Sequence, residues 1–372
     1  LYNMMDTMIV GKLLGATALA AVGSTGSINF FVIGFCMGVC NGFAIPVAQR
    51  MGAGDYSQMR RYVANAAWLA IAFAAVLTVA TGLLCGTILT VINTPSDIYE
   101  GAYWYIFIIF MGIPATFLYN LLAAIIRSLG DSKTPVYFLD MSSVLNMVKK
   151  FPILHMSREE RQLDIRSCRA LCFMGVPMGL QYSITAIGSI FLQSAVNSLG
   201  SLYVAGVAAG SKLFQLLGCP YDAMGATMAT YCGQNVGAVK LDRLGKGVRA
   251  CSLLGLIYAL IAFGGMLLFA PQGAMLFLDP TEPELATLVD LTAQYIRTLT
   301  AFFFPLALVN IVRFSIQGMG FSGLAILAGV MEMIARTAVG VIFVPMFGYT
   351  AACFASPAAW VCADLFLIPA CM

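Results

Sequence analysis

Asp6 stands in an apolar run, DTMIVG, where an ionised carboxylate costs several kcal/mol unless it is solvated or paired. An acid so placed is a candidate for carrying an ion or a proton; the alternative sets it near an interface, where water solvates it. Lys212 and Asp222 share one apolar segment, ten residues apart, which is about 15 Å along a helix axis at 1.5 Å per residue. Too distant to pair with each other, each must meet a cavity or a charge on another helix, so a structural ion pair and a substrate contact are both open. Gln181, just after Pro177, joins them as a candidate for lining a substrate cavity. Glu332 and Arg336 stand at i and i+4, where opposite charges on one helix face neutralise each other. Asp290, Arg297, Arg313 and Asp364 are further charges in apolar surroundings, without assigned roles.

Other chemistries find no support. The 11 cysteines are scattered without metal-ligand spacing and read as small core residues. His155 is the only histidine, so no metal site and no catalytic histidine cluster is expected. The chain has no HExxH, no GxSxG and no paired intramembrane aspartates, which argues against an enzyme. It also has no GxxxxGK[ST] loop for direct ATP drive. A net charge of +3 does not suggest a nucleic-acid partner.

What positions these residues must be a membrane-embedded helical scaffold. Sixty percent of the chain is hydrophobic and 10% charged, against about 25% charged in soluble domains. Apolar runs long enough to cross a roughly 30 Å hydrocarbon layer recur throughout, and the alternating ten-residue segments of a membrane barrel are absent. The 21 Met and 25 Phe suit an adaptable cavity for amphipathic cations. They fit core or lipid-facing positions equally well.

The scaffold is duplicated. Residues 15–52 return 185 positions later as 200–237 without a gap: Leu14-Gly15 falls on Leu199-Gly200, and Gln49-x-x-Gly52-Ala53 on Gln234-x-x-Gly237-Ala238. With five residues added, Tyr105-Ile106 meets Tyr295-Ile296, Asn120 meets Asn310 and Gly130-x-Ser132 meets Gly320-x-Ser322. Tandem halves of this kind build many transporters. Helices are expected over 24–49, 61–92, 102–128, 169–199, 202–232, 247–270, 285–317, 323–346 and 351–372. Gly34, Gly38 and Gly42 form a stripe that admits a neighbouring backbone, and the small residues Cys219, Ala223 and Thr227 predict the same role in the second half.

Basic residues mark cytoplasmic turns: Arg50, Arg60 and Arg61; Arg127 and Lys133; Lys240, Arg243, Lys246 and Arg249. Acidic connections, with Asp97 and Glu100 or with Asp279, Glu282 and Glu284, fall outside. Both halves therefore enter the membrane with the same orientation, as parallel repeats do. This divides the chain into an N-terminal lobe (1–148), a cytoplasmic linker (149–168) and a C-terminal six-helix lobe (169–372). One place breaks the alternation. Residues 135–148 enter from the cytoplasm and reach the basic linker without room for two crossings, and Asn146 aligns with Arg336, after which the second half continues for two more helices. About 40 residues are expected to be absent after Asn146, and Leu1–Leu14 reads as the end of a helix whose beginning is missing, with no signal peptide visible.

Against that frame several motifs carry a resemblance. Asp6-Thr7-Met8-Ile9-Val10-Gly11, Gly52-Ala53-Gly54-Asp55, Arg127-Ser128-Leu129-Gly130-Asp131-Ser132-Lys133-Thr134-Pro135, Gly175-Val176-Pro177 and Gly233-Gln234-Asn235-x-Gly237-Ala238 resemble the multidrug and toxic compound extrusion (MATE) transporters, over essentially the whole chain. The resemblance implies an all-α polytopic membrane protein of two pseudo-symmetric helical-bundle lobes, the first here lacking about two helices. It implies a V-shaped cavity and secondary active antiport, exporting organic cations or drugs across the plasma membrane against Na⁺ or H⁺ influx, with no cofactor beyond that ion, the lipid bilayer as surroundings and a monomeric state. Asp6 matches the family's first-helix ion- or proton-coupling acid and Asn146 its partner in the fifth helix. The Asp that follows four residues later in the family falls in the absent stretch, and Asp140 does not replace it. A lipid-linked oligosaccharide flippase of the same superfamily is the alternative, for which Lys212, Arg297 and Arg313 would supply the cationic cavity.

Overall fold

The computed structural model describes residues 25–91, 94, 98–131, 133, 151–278 and 284–371. Asp6, Asn146, the junction after Asn146 and the acids Asp279 and Glu282 lie outside the described residues. Every regular element among the described residues is helical, and seven helices are each long and apolar enough to cross a membrane. In lipid the backbone must satisfy its own hydrogen bonds, and a helix does so within one segment. The chain clusters into two compact units, residues 1–183 and 184–372.

Unit 1 holds α1 (Gly26–Ala53), α2 (Tyr56–Val91) and the pair α3 (Tyr99–Met111) and α4 (Ile113–Ser128). It also contains the first part of α5 (Ile165–Asn197). The single helix expected over 102–128 is in fact two helices bent by 45° at Gly112. Pro114 has no N–H to continue the ladder and its ring crowds the preceding turn, the usual cause of a sharp kink. The glycine stripe on α1 packs as its spacing predicts. A Cβ on Gly42 would lie 2.4 Å from the Cα of Gly175, and one on Gly38 would lie 2.5 Å from the carbonyl oxygen of Met178. Gly175 and Gly179, four apart on α5, present their own small face, so this crossing is glycine against glycine.

The segment ahead of α5 is strapped to the start of α2. Arg60 donates to both carboxylate oxygens of Glu160, Nε at 2.8 Å and Nη2 at 2.7 Å, and Ser57 Oγ adds a third bond at 3.0 Å. These donors, the Arg60 fork first and the Ser157 backbone N–H next, hold the Glu160 carboxyl down to about 2. Fully buried Asn65 accepts from the Asp164 N–H at 2.8 Å, and the Trp68 indole donates to the carbonyl of Arg161 at 3.2 Å. Asp164 in turn accepts from the Ser167 hydroxyl at 2.6 Å and from its backbone N–H at 3.1 Å, capping the first turn of α5. The Ser167 hydroxyl leads the donors that pull the Asp164 carboxyl below its usual value.

Unit 2 carries the rest of α5, then α6 (Ser201–Gly237), α7 (Asp242–Met275), α8 (Leu285–Ala301), α9 (Phe303–Met319), α10 (Ser322–Ala338), α11 (Val344–Phe347) and α12 (Tyr349–Cys371). Helices α8 and α9 are again one apolar run, bent by 50° at Phe302 ahead of Pro305. A five-residue π segment, Val339–Phe343, joins α10 to α11; Pro345 cannot donate to the carbonyl four residues back, and the extra residue relieves the clash. The stripe Cys219, Ala223 and Thr227 is exposed, contrary to the packing role expected of it. Close backbone approach in this unit is at Gly318 instead, where a Cβ would lie 2.4 Å from the carbonyl oxygen of Ala229.

The repeat is visible turn by turn. Gly130 and Gly320 both take positive φ, +96° and +107°. The following N–H reaches back to Ile126 at 3.3 Å in one unit and to Ile316 at 3.1 Å in the other, the bond pattern of a left-handed helix cap. Asn120 donates to Thr116 and Asn310 to Leu306, each four residues back.

Helices mostly run past the expected ends on their charged sides, α2 starting at Tyr56 and α7 at Asp242. Hydropathy marks the apolar span, whereas backbone hydrogen bonding continues through solvated charged turns.

Candidate functional site

The described residues bring one set of intramembrane charges together, in unit 2. Helix α9 packs against α6, α10 and α12, and Arg313 extends from it into that junction. Its Nη2 donates to Glu332 Oε1 on α10. The second oxygen of Glu332 accepts from Arg336 Nη2 at 3.3 Å, one turn further along α10. Glu332 thus bridges two guanidiniums, and all three side chains are buried. The i, i+4 pairing of Glu332 with Arg336 read from the sequence is present. Its other partner, Arg313, lies 19 residues away on another helix, beyond the reach of any local pattern.

Two more acids face the same guanidinium. Asp222 on α6 and Asp364 on α12 both feel the charge of Arg313. Asp222 is exposed, whereas Asp364 is 7% exposed and its Oδ1 has no hydrogen-bond partner among the described residues. Nε and Nη1 of Arg336 are likewise without partners there. A buried charged group with unused hydrogen-bonding capacity is costly, which makes this junction a place where a mobile ion or a polar ligand is favoured.

The other sequence candidates are apart from it or serve elsewhere. Lys212 lies nearly three turns before Asp222 on the same continuous helix, half-buried, and forms no ion pair among the described residues. Gln181 is buried on α5 within unit 1. Arg297 donates to the carbonyl oxygens of Met266 and Leu267 at 3.2 and 3.1 Å, a bond set that ties α8 to α7, and Asp290 is exposed. The pairing of Asp6 with Asn146 falls outside the described residues. In unit 1 a further cation escaped the sequence reading as a site residue: Arg127 on α4 donates to Asn41 Oδ1 on α1 at 3.1 Å, with the phenols of Tyr119 and Tyr182 in its field. The available signal was an arginine within an otherwise apolar helix end.

An all-helical polytopic chain with two similarly built units and buried intramembrane charge is the architecture of a membrane transporter. A family model described as MatE matches residues 1–151 and 177–352, and the chain belongs to the MatE family of multidrug and toxic compound extrusion transporters, multi-pass proteins of the cell membrane. Among relatives, it is 26% identical over 270 residues to the "Probable multidrug resistance protein YpnP" of Bacillus subtilis (strain 168), covering 63% of this chain and 61% of the relative. It is 24% identical over 323 residues to the "Probable multidrug resistance protein YoeA" of the same organism, covering 75% and 70%. The chain thus spans only 61% of the length of the first of these relatives. Among solved structures, an outward-facing multidrug resistance MATE family transporter of the MOP superfamily superposes with a TM-score of 0.88 at 18% identity, covering 100% of this chain and 90% of that one. A MATE protein in complex with MaL6 gives 0.86 at 18% identity, covering 99% and 90%. These likenesses establish the fold.

Proposed function

We propose that the chain is a secondary active antiporter that exports organic cations or amphipathic drugs across the plasma membrane, driven by Na⁺ or H⁺ influx. The observation that carries this reading is the family match across both halves, together with intramembrane acids held in an apolar scaffold. Such acids bind a cation in one conformation and release it in another, and a difference in affinity between two states is what couples an ion gradient to a conformational cycle. Two relatives bearing multidrug resistance names support drugs as the cargo. The lipid-linked oligosaccharide flippase is not favoured, because Arg313 and Arg336 are bonded to Glu332 and Arg297 to backbone carbonyls rather than lining a site for a pyrophosphate.

In this reading Asp6, with Asn146 beside it, carries the coupling ion or proton. Asp6→Asn keeps size and hydrogen bonding and removes the charge. In cells lacking other pumps, with expression matched by immunoblot, the Asp6→Asn protein should insert but lose ion-driven extrusion of ethidium or norfloxacin. Pumping equal to that of the parent at acidic and alkaline pH, with and without Na⁺, excludes Asp6 from coupling.

A further inference from the structure

The junction around Arg313 does not balance its own charge. Two guanidiniums, Arg313 and Arg336, meet three carboxylates, Asp222, Glu332 and Asp364. Glu332 is satisfied, one oxygen on each arginine. Asp222 is exposed on α6 rather than enclosed in the junction. Asp364 is buried, its neighbours Trp360, Ala363 and Leu367 on α12 are buried and apolar, and its Oδ1 meets no donor among the described residues. On the helices packed against α12 stand Arg313 on α9, Glu332 and Arg336 on α10 and Tyr295 on α8, while Cys353 and Tyr349 on α12 itself lie about three and four turns before Asp364. Asp290 on α8 is exposed, and Arg297 is occupied by backbone carbonyls. The one strong counter-charge, Arg313, is already committed to Glu332.

We propose that Asp364 is a proton site of unit 2, holding one proton in this arrangement and releasing it when the junction opens. With Asp364 neutral, the two arginines are matched by Glu332 and Asp222, and the junction carries no net charge. A proton fits better than a metal ion, because among the described residues no three His, Cys, Asp or Glu side chains gather closely enough to hold one, and a hard cation needs several converging oxygens. The site stands on this geometry alone. Only its role in driving export rests on the antiport reading, where it supplies a proton to the cycle from a lobe other than that of Asp6.

The test is infrared difference spectroscopy of the purified chain in liposomes between acidic and alkaline pH, with transport measured on the same vesicles. The parent should show the carbonyl stretch of a protonated carboxyl group that Asp364→Asn lacks, Asp222→Asn keeps, and Asp364→Glu keeps at a displaced titration midpoint. Ethidium transport driven by a pH gradient should fall by about tenfold or more in Asp364→Asn, the effect of one pH unit of lost drive, while ethidium exchange without a gradient persists. A band unchanged in Asp364→Asn and Asp364→Glu overturns the proposal. So does a band abolished at constant pH by added Na⁺, which would assign the site to a metal ion. If the band behaves as expected but the parent moves no ethidium under any gradient, the proton site stands and the antiport reading fails.

Discussion

The two units follow the same course of helices, bends and caps, yet they distribute charge in opposite ways. Applying the repeat offsets, Arg313 of unit 2 occupies the place of Ala123 in unit 1, and Asp222 that of Met37. Ala123 is buried at an apolar position, whereas Arg313 anchors a junction of four helices. In return, unit 1 spends its small residues on a glycine-to-glycine crossing that the matched residues of unit 2 leave exposed. A shared backbone therefore fixes where helices stop and bend but not what they hold between them. Duplication preserves the hydrogen-bonded frame, which either sequence satisfies, and leaves side chains free to diverge.

The largest test of that contrast removes the shared carboxylate. Glu332→Ala leaves two buried guanidiniums without their partner and should destabilise the protein by about 3–5 kcal/mol, whereas replacing Arg313, Glu332 and Arg336 together by well-packed apolar side chains should cost much less. Thermal unfolding in detergent reads both, and a Glu332→Ala protein that melts with the parent would show that the junction is not a structural unit.

Next comes the crossing. Gly42→Val drives a branched side chain into the Gly175 backbone and should cost about 1–3 kcal/mol or more. Thr227→Val, at the matched position of unit 2 and of nearly equal volume, should stay within about 0.5 kcal/mol. Equal losses in the two variants, measured in the same melting assay, would erase the difference between the units.

The strap ahead of α5 is a feature of unit 1, and its pH response has a definite sign. Because the folded-state Glu160 carboxyl is held at about 2, below its ordinary value, its contribution to stability is fully present above the ordinary carboxylate range. It is lost as pH falls through that range toward about 2. Trypsin cleavage at the exposed Arg158 and Arg161 should rise about tenfold in Glu160→Gln, since hydrogen bonds to charged groups contribute about 1.5–3 kcal/mol. Cleavage by an acid-active protease should rise in the parent as pH drops through that window, and a flat profile would remove Glu160 from the strap.

The smallest effect sits at a matched turn. Gly54 takes φ +72° and its repeat counterpart Val239 takes φ +58°, a conformation that costs a residue with a Cβ roughly 1–2 kcal/mol. Val239→Gly should therefore stabilise by up to about 1 kcal/mol, and Gly54→Val should destabilise by about 1–2 kcal/mol. Paired melting curves moving in the same direction would deny that the two turns are equivalent.

Much of the frame was legible because it rests on local physics. An apolar run in lipid has little choice but to be a helix, and a glycine after such a run marks its cap, so the helices, the repeat and the turns at Gly130 and Gly320 could be read directly. The bends could not. Pro114 and Pro305 sit beside sharp breaks, yet Pro46, Pro177, Pro220, Pro271 and Pro357 lie inside continuous helices. A proline removes one hydrogen bond everywhere, and only the neighbouring helices decide whether the chain turns there.

The same division runs through the site. The amino-acid sequence alone placed Arg313, Glu332, Arg336, Asp222 and Asp364 in apolar helices and paired Glu332 with Arg336, because that pair is set by a single helix's own periodicity. Tertiary structure decided that Arg313 reaches Glu332, that Asp222 stays exposed, and that Asp364 is buried. Those outcomes depend on the rotation of α6, α9, α10 and α12 about their axes, and rotation is set by side-chain packing between helices distant in sequence.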